Sequence, residues 1–310
     1  FSVTENNYLG KGIRVKAGLD LSKEDIRGQL DIRNPNFRYS DKALNTSISS
    51  TKTDRSVKSG YKTAKTGLSF GTGYEQYEDF YFSPGISLFI EELDTATNAS
   101  TTLKKQDGSY FDIAFNHRLE LDRRNSSYRP SEGYMSIFTQ NIPLVSEEYS
   151  IFNAYEYKKY IEITERSIAS MGFYFAAINS IADENVRVSE RLYLGAHRLK
   201  GFERGRVGPK ERGDWVGGNY ISSANINLAL PKLFEQFQNA DVIFFVDMGN
   251  VWGVDYSDTI SDSSKIRAST GLALDVATPV GPLNFSFSQV LSKASTDITE
   301  FFRFQIGTTF

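Results

Sequence analysis

Glu300-Phe-Phe-Arg-Phe-Gln-Ile-Gly-Thr-Thr-Phe310 decides how the rest of the chain is read. As an extended strand it places Phe302, Phe304, Ile306, Thr308 and Phe310 on one face and Arg303, Gln305, Gly307 and Thr309 on the other. Successive strand side chains point to opposite faces. The segment therefore has one apolar wall and one polar wall.

The same two-residue rhythm fills the chain. Ile13, Val15, Ala17, Leu19 and Leu21 alternate with Arg14, Lys16, Gly18 and Asp20. Phe111, Ile113 and Phe115 alternate with Asp112 and Asn116, and Leu283, Phe285 and Phe287 with Asn284, Ser286 and Ser288. About fifteen strand segments follow from this pattern, running from Phe1–Glu5 and Gly12–Leu21 through Lys62–Gly73 and Tyr134–Asn141 to Phe301–Phe310. No linker or composition break divides residues 1–310, so the fold class is all-β in one domain. Alternation alone fits a soluble sandwich, whose apolar faces meet, or a transmembrane antiparallel β-barrel, whose apolar faces meet lipid. Three features favour the barrel. Many segments exceed the usual strand length of about five or six residues. Short turns such as Asn34–Asn36 and Pro279–Pro282 alternate with long polar connections such as Asp94–Gly108 and Gly253–Ser264. Aromatic residues gather near strand ends, among them Tyr77, Phe80, Tyr81, Phe82, Tyr155, Tyr157 and Tyr160, as in an interfacial girdle.

Bulk composition narrows the function. The 310 residues carry a net charge of −3, which argues against nucleic-acid binding driven by charge. There are no cysteines, hence no disulfide framework and no thiolate metal site. His117 and His197 stand far apart with no ligand spacing around them, so no metal or other cofactor is expected. No G-x-S-x-G elbow or phosphate loop points to an enzyme. With no start methionine or signal segment, the chain reads as a mature or trimmed piece.

One span breaks the rhythm. Residues 182–218 are long, polar and rich in arginine and glycine, and contain Leu199-Lys200-Gly201-Phe202 followed by Gly208-Pro209. A connection of this length in a compact domain is usually functional or disordered. Downstream come Gly217-Gly218-Asn219, then Phe244-Phe-Val-Asp247-Met-Gly249-Asn-Val-Trp252, Pro279-Val-Gly-Pro-Leu283 and the terminal aromatic strand. Upstream stand Tyr8-Leu-Gly-Lys-Gly12 and Leu121-Asp122-Arg123 with Tyr128, Pro130 and Gly133. In this order and spacing the chain resembles the BamA group of outer-membrane assembly barrels over essentially its whole length.

The resemblance implies a sixteen-stranded barrel in the outer membrane of a Gram-negative bacterium, fifteen or sixteen strands being present here. Phe1–Tyr8 resembles the family's second strand. It implies that loop 182–218 folds into the lumen, with Lys200, Gly201 and Phe202 at the place of the family's V-R-G-F motif. The loop cation would be held by Asp247 and, at a second acidic position of the family, by the neutral Asn227. Asn225, Asn227 and Asp247 share the lumen face of their strands. Lysine lacks arginine's two-pronged fork, so a looser contact than in relatives is expected. Its first role would be a clamp that holds the loop, its second a part in gating. Asp122, Arg123, Pro130 and Gly133 would form the mid-barrel motif. Phe302, Phe304, Ile306, Gly307 and Phe310 would line a lateral seam between last and first strands. The implied function is insertion and folding of unfolded outer-membrane protein clients by strand pairing. Periplasmic POTRA domains, accessory lipoproteins, outer-membrane lipid and lipopolysaccharide are the implied partners. A passenger-secreting relative or a passive pore is the alternative.

Overall fold

The computed structural model describes residues 1–310 except 41, 128, 166, 183–184, 232–239, 257–259, 261–263, 279–280 and 307–310. Its first ten strands are β1 (Ser2–Tyr8), β2 (Ile13–Leu21), β3 (Asp25–Asn34), β4 (Ala43–Arg55), β5 (Tyr61–Tyr77), β6 (Phe80–Thr95), β7 (Gly108–Asp122), β8 (Gly133–Val145), β9 (Ser150–Thr164) and β10 (Ser167–Ser180). A small hairpin follows, β11 (Lys210–Glu211) and β12 (Asp214–Trp215). The remaining strands are β13 (Tyr220–Pro231), β14 (Ala240–Trp252), β15 (Arg267–Thr278), β16 (Gly281–Ser292) and β17 (Phe302–Ile306).

Fifteen of these strands form one sheet in the order β1 to β10, then β13 to β17, each antiparallel to the next. All fifteen segments read from the alternation correspond to strands of this sheet, the last described as far as Ile306. Several run further than the pattern indicated: β5 continues to Tyr77 and β8 to Val145. Long strands of this kind keep their backbone groups paired wherever water is excluded. Among the described residues, β1 pairs only with β2 and β17 only with β16.

The burial pattern decides between sandwich and barrel. On β14 to β16 the polar residues are the hidden ones: Asp247, Ser269 and Asn284 are 0 % exposed. Their apolar neighbours Phe244, Leu272 and Phe287 are 47 %, 51 % and 48 % exposed. Register carries each face across the wall, with Phe244 opposite Leu272 and Leu272 opposite Phe287, while Asp247 stands opposite Ser269. The apolar stripes ring the outside. That is the inverse of a soluble sandwich and the arrangement of a membrane barrel. The girdle is narrower than the sequence indicated. Phe80, Phe82, Tyr155 and Tyr157 share the outer parity, whereas Tyr81 and Tyr160 fall on the lumen parity of β6 and β9.

Connections alternate between two rims. One rim carries the short turns, after β5 and β9 for example; the other carries the long connections after β6, β10, β14 and β16. A single turn of helix, α1 (Thr101–Lys104), lies in the connection after β6, with the Ser100 hydroxyl accepting from Leu103 N–H at 3.2 Å.

Candidate functional site

The connection of residues 181–219 between β10 and β13 carries apolar side chains into both interior clusters. Leu194, Leu199, Phe202 and Val207 pack on Ala154, Ala176, Ile221 and Val251 of the wall. Val188 and Val216 pack with Tyr61, Leu93, Leu103 and Tyr110 on the other side. A loop with two apolar anchors can lie in a polar interior because those anchors remove its greasy side chains from lumen water.

Within the first anchor, between Leu199 and Phe202, Lys200 meets Asp247. Its Nζ donates to Oδ2 at 3.1 Å and Oδ1 at 3.4 Å, and its own backbone N–H donates to Oδ2 at 3.0 Å. The ammonium also stands 4.4 Å from the centre of the Phe245 ring. Ser269 donates its hydroxyl to the Lys200 carbonyl at 2.5 Å. The carboxylate is completed by Asn225 Nδ2 at 2.8 Å. Lysine thus grips through side chain and main chain together, which supplies the second prong its ammonium lacks. The contact is correspondingly tighter than the side chain alone suggests.

Asn227 is not part of this grip. The β13–β14 register sets Asn225, not Asn227, opposite Asp247, and Asn227 donates to Ser170 at 3.4 Å instead. Both asparagines share the lumen face, so parity could not separate them. Gly201 follows the clamp at φ +85°, where a Cβ would lie 3.0 Å from Ser288 Cβ and 3.3 Å from Ser269 Cβ. Glycine meets both the left-handed backbone and the close approach.

Past Gly201 the loop pairs with the segment that leads into β17. Phe202 and Thr299 form an antiparallel bridge. Glu203 N–H donates to Ile298 O at 2.9 Å and Glu300 N–H to Gly201 O at 2.9 Å. From β17 itself, Arg303 donates to Phe202 O at 2.9 Å. Phe302, Phe304 and Ile306 face outward on the same strand, Phe304 stacking on Phe285 at 4.9 Å and Phe302 tilted against Phe287 at 5.1 Å. Gly307 and Phe310 lie outside the described residues.

The mid-barrel motif sits elsewhere, at the turn rim. Asp122 accepts from Arg124 Nε at 2.8 Å and Nη2 at 2.7 Å, and Arg123 reaches Asp79 at 3.6 Å. Gly133 has φ +94°, and a Cβ there would stand 2.0 Å from the Arg123 carbonyl oxygen, so only glycine lets β8 start so close to the end of β7. Pro130 is half-buried in the connection, and its neighbour Arg129 contacts Asp241 at the start of β14; Tyr128 lies outside the described residues.

Sequence reasoning missed three ionic knots. Arg187 is 0 % exposed and faces Asp112 at 2.8 Å, Glu190 at 3.1 Å and Glu91 at 3.6 Å, with the Tyr110 ring 4.1 Å from its guanidinium carbon. Burial pushes the Glu190 carboxyl above its usual range, against the pull of Arg187. Arg191 contacts Asp255, which also accepts from Val186 N–H and Asn219. Burial there would raise the carboxyl, yet Arg191 and those donors hold it below the usual range. Arg267 closes on Asp297 at 2.9 Å and 3.1 Å, both side chains 0 % exposed. Acids on lumen faces, set against an arginine-rich loop, were the available signal for the first knot; the second joins two connections that carry no period, and the third ties the first residue of β15 to such a connection.

A family model described as the Omp85 superfamily domain matches residues 7–310. The chain belongs to the Omp85 superfamily. Omp85 relatives named outer membrane protein assembly factor BamA, from Neorickettsia risticii and Neisseria meningitidis, are 22 % and 24 % identical over 100 % and 99 % of the chain. The chain spans 42 % and 44 % of their lengths. The human sorting and assembly machinery component 50 homolog is 24 % identical over 52 % of the chain and 36 % of its own length. BamA from Haemophilus ducreyi lacking POTRA domains 1–3 has the same fold, with a TM-score of 0.85 at 23 % identity, covering 98 % of this chain and 65 % of that one. CdiB from Acinetobacter baumannii is more distant, with a TM-score of 0.61 at 11 % identity over 97 % of this chain and 54 % of that one. Omp85 membership together with the outward apolar stripes places this barrel in an outer membrane as an integral protein.

Proposed function

We propose that this Omp85 barrel inserts and folds β-barrel clients into the outer membrane by strand pairing at a lateral seam edged by its last strand, β17. The observation that carries the reading is the edge presented by β17. Among the described residues β17 pairs only with β16, in a wall whose outer face is apolar. An unpaired backbone group facing hydrocarbon costs several kcal/mol, and an edge strand offers such groups to an incoming strand. A client strand that pairs there satisfies that edge, and the client sheet grows without presenting bare backbone to lipid. The curated names of the sequence relatives, assembly factor and assembly machinery component, support the same direction.

The loop clamp fits this role as a support for the seam, since Lys200–Asp247 fixes the strand that bridges to Thr299 just before β17. POTRA domains and accessory lipoproteins would deliver clients, and the lipid and lipopolysaccharide around the seam would receive them. Reconstitution of the full-length parent into liposomes with an unfolded barrel client tests the proposal. Client folding faster than in empty liposomes is expected. No acceleration removes the assembly reading, and transport of a dedicated passenger without client insertion favours a secretion role instead.

A further inference from the structure

The lipid-facing wall is not apolar throughout. Across β6 to β9, Pro84 stands opposite His117, His117 opposite Gln140, and Gln140 opposite Asn153. Directly opposite residues of antiparallel strands share a face. The neighbouring row, Phe82, Leu119, Phe138 and Tyr155, lies on the outer face, and two residues along a strand return to the same face. An imidazole and two amides therefore sit side by side on the outside of the barrel. On β14 to β16 that face carries Phe244, Leu272 and Phe287 instead.

The hydrogen bonding of this row is incomplete. Gln140 Nε2 donates to Asn153 Oδ1 at 2.6 Å. That bond leaves the Gln140 carbonyl oxygen and the Asn153 amide N–H groups without a partner among the described residues. His117 lies among the rings of Phe115, Phe138 and Phe82, with centres 5.8 Å, 6.0 Å and 6.3 Å away. Its Nδ1 is fully covered and has no hydrogen-bond partner, although an imidazole always keeps at least one N–H donor. Unpaired polar groups are costly in hydrocarbon, and an ionisable side chain at membrane depth points to a site with a nameable partner. The row also has a depth. Asn153 is three residues from the long-connection end of β9, and Pro84 is four from the turn end of β6, so the row descends across the wall. At about 3.4 Å per residue and a tilt of about 40°, Asn153 lies roughly 8 Å in from the long-connection rim, and each further strand goes roughly 3 Å deeper. Bacterial barrels turn their long connections outward, so the row meets the acyl chains of the outer leaflet.

We propose that His117, Gln140 and Asn153 form a binding site for a lipid of the 3-hydroxyacyl class, the kind that anchors lipopolysaccharide. The pattern of donors and acceptors selects the class. In its acyl region a glycerophospholipid brings ester carbonyls, which only accept. A hydroxyacyl chain brings a hydroxyl, which donates and accepts. The Gln140 oxygen needs a donor and the Asn153 amide an acceptor, and one such hydroxyl beside the pair supplies both. The His117 N–H, one strand further along and deeper, meets the ester carbonyl of a second chain of the same molecule. The site is on the outer wall of β7 to β9, well removed from β17 in the strand order, and stands independently of the assembly reading.

The test is a competition in phosphatidylcholine nanodiscs. The full-length parent is offered equal amounts of hexa-acylated lipid A, which carries 3-hydroxyacyl chains, and tetraoleoyl cardiolipin, which matches its phosphates but has only ester carbonyls in its acyl region. Native mass spectrometry of the released protein counts what stays bound. The parent retains lipid A over cardiolipin, and His117→Leu combined with Gln140→Leu cuts that preference about tenfold, the worth of roughly one or two net hydrogen bonds. Phe244→Leu, on the outer wall of β14, leaves the preference unchanged. Leucine suits a lipid-facing position, so the double variant folds; if it does not, Asn153→Leu alone carries the same expectation. Equal retention of the two lipids by the parent overturns the lipid class. An undiminished preference in the row variants, or an equal loss in Phe244→Leu, overturns the site. A dimer of the parent that the double variant abolishes, with lipid retention unmoved, gives the row to a second copy of the chain and overturns it too.

Discussion

Lys200 presents two donors to one buried carboxylate, and that geometry sets the cost of removing it. Deleting the ammonium leaves Asp247, 0 % exposed, with its negative charge opposed only by dipoles. Breaking a buried pair from one side costs about 3–5 kcal/mol. Lys200→Ala is therefore expected to lower the unfolding free energy of the reconstituted barrel, read from urea titration, by that amount, whereas Lys200→Arg, which keeps the charge and the backbone N–H, costs under about 1 kcal/mol. A Lys200→Ala barrel as stable as the parent would remove the clamp. Lys200 and Asp247 were legible as a pair because the motif order brings both forward. Asn225 was not separable from Asn227, since alternation gives a face and only register gives an opposite neighbour. His197 offers a pH readout on the same loop. Partial desolvation, with the cations of Arg198, Lys158 and Lys200 nearby, holds the imidazole down to about 4, so it is neutral at pH 7. A depressed pKa contributes stability above the unfolded value near 6.5, and that contribution is lost as pH falls toward the folded value. The ring is partly open to lumen water, so the effect is on the order of 1 kcal/mol. Stability measured from pH 7 to 4 should fall less steeply in His197→Gln than in the parent.

At the level of elements, the hairpin between β16 and β17 depends on a buried pair that no spacing rule reveals. Arg267 opens β15, and Asp297 lies thirty residues on in an aperiodic connection. Alternation can place Arg267 on the polar face of β15 but cannot name its partner. The pair matters because Asp297 also accepts from Ala294 N–H at 2.6 Å and from Gly208 N–H at 3.4 Å, which joins the hairpin to the inserted loop. Arg267→Ala leaves that carboxylate buried and unpaired, a loss of about 3–5 kcal/mol if the hairpin stays closed. The hairpin can also relieve the charge by opening. Hydrogen exchange distinguishes the two: faster exchange confined to 293–306 means local release, and faster exchange throughout β14 to β17 means the flank moves as one. Protection unchanged in both regions would show that the pair carries no load. The long strands themselves were easily read, because fifteen stretches of period two leave few other assignments. The short elements were not. The two-residue strands β11 and β12 and the single-turn helix α1 lie in polar connections, where packing against the wall rather than local pattern fixes the backbone.

For the whole molecule, alternation left the sign of the solvent open: the same stripes build a dry sandwich or a lipid-facing cylinder. What resolved it is where the charge went. Arg187, Lys200, Arg267, Asp247 and Asp297 are all buried, and each is balanced by an opposite charge inside the wall. A sandwich core could not carry so many ions, whereas a polar lumen filled by a basic loop can. The sequence foreshadowed this by placing its arginine-rich span in the one connection too long to be a turn. Lipid outside and charge inside then predict an asymmetry that a soluble protein would reverse. Leu272→Arg, on the exposed face near the middle of β15, should cost about 2–4 kcal/mol in a bilayer, because the guanidinium enters hydrocarbon. The same substitution on a water-facing strand is close to neutral. Ser47→Arg, on the half-buried lumen parity of β4, meets the water-accessible interior and should cost under about 1 kcal/mol. Urea titration of both variants in phosphatidylcholine vesicles gives the comparison directly. If Leu272→Arg proves the milder of the two, the apolar stripe does not face lipid, and neither the barrel nor a seam that opens into the membrane survives.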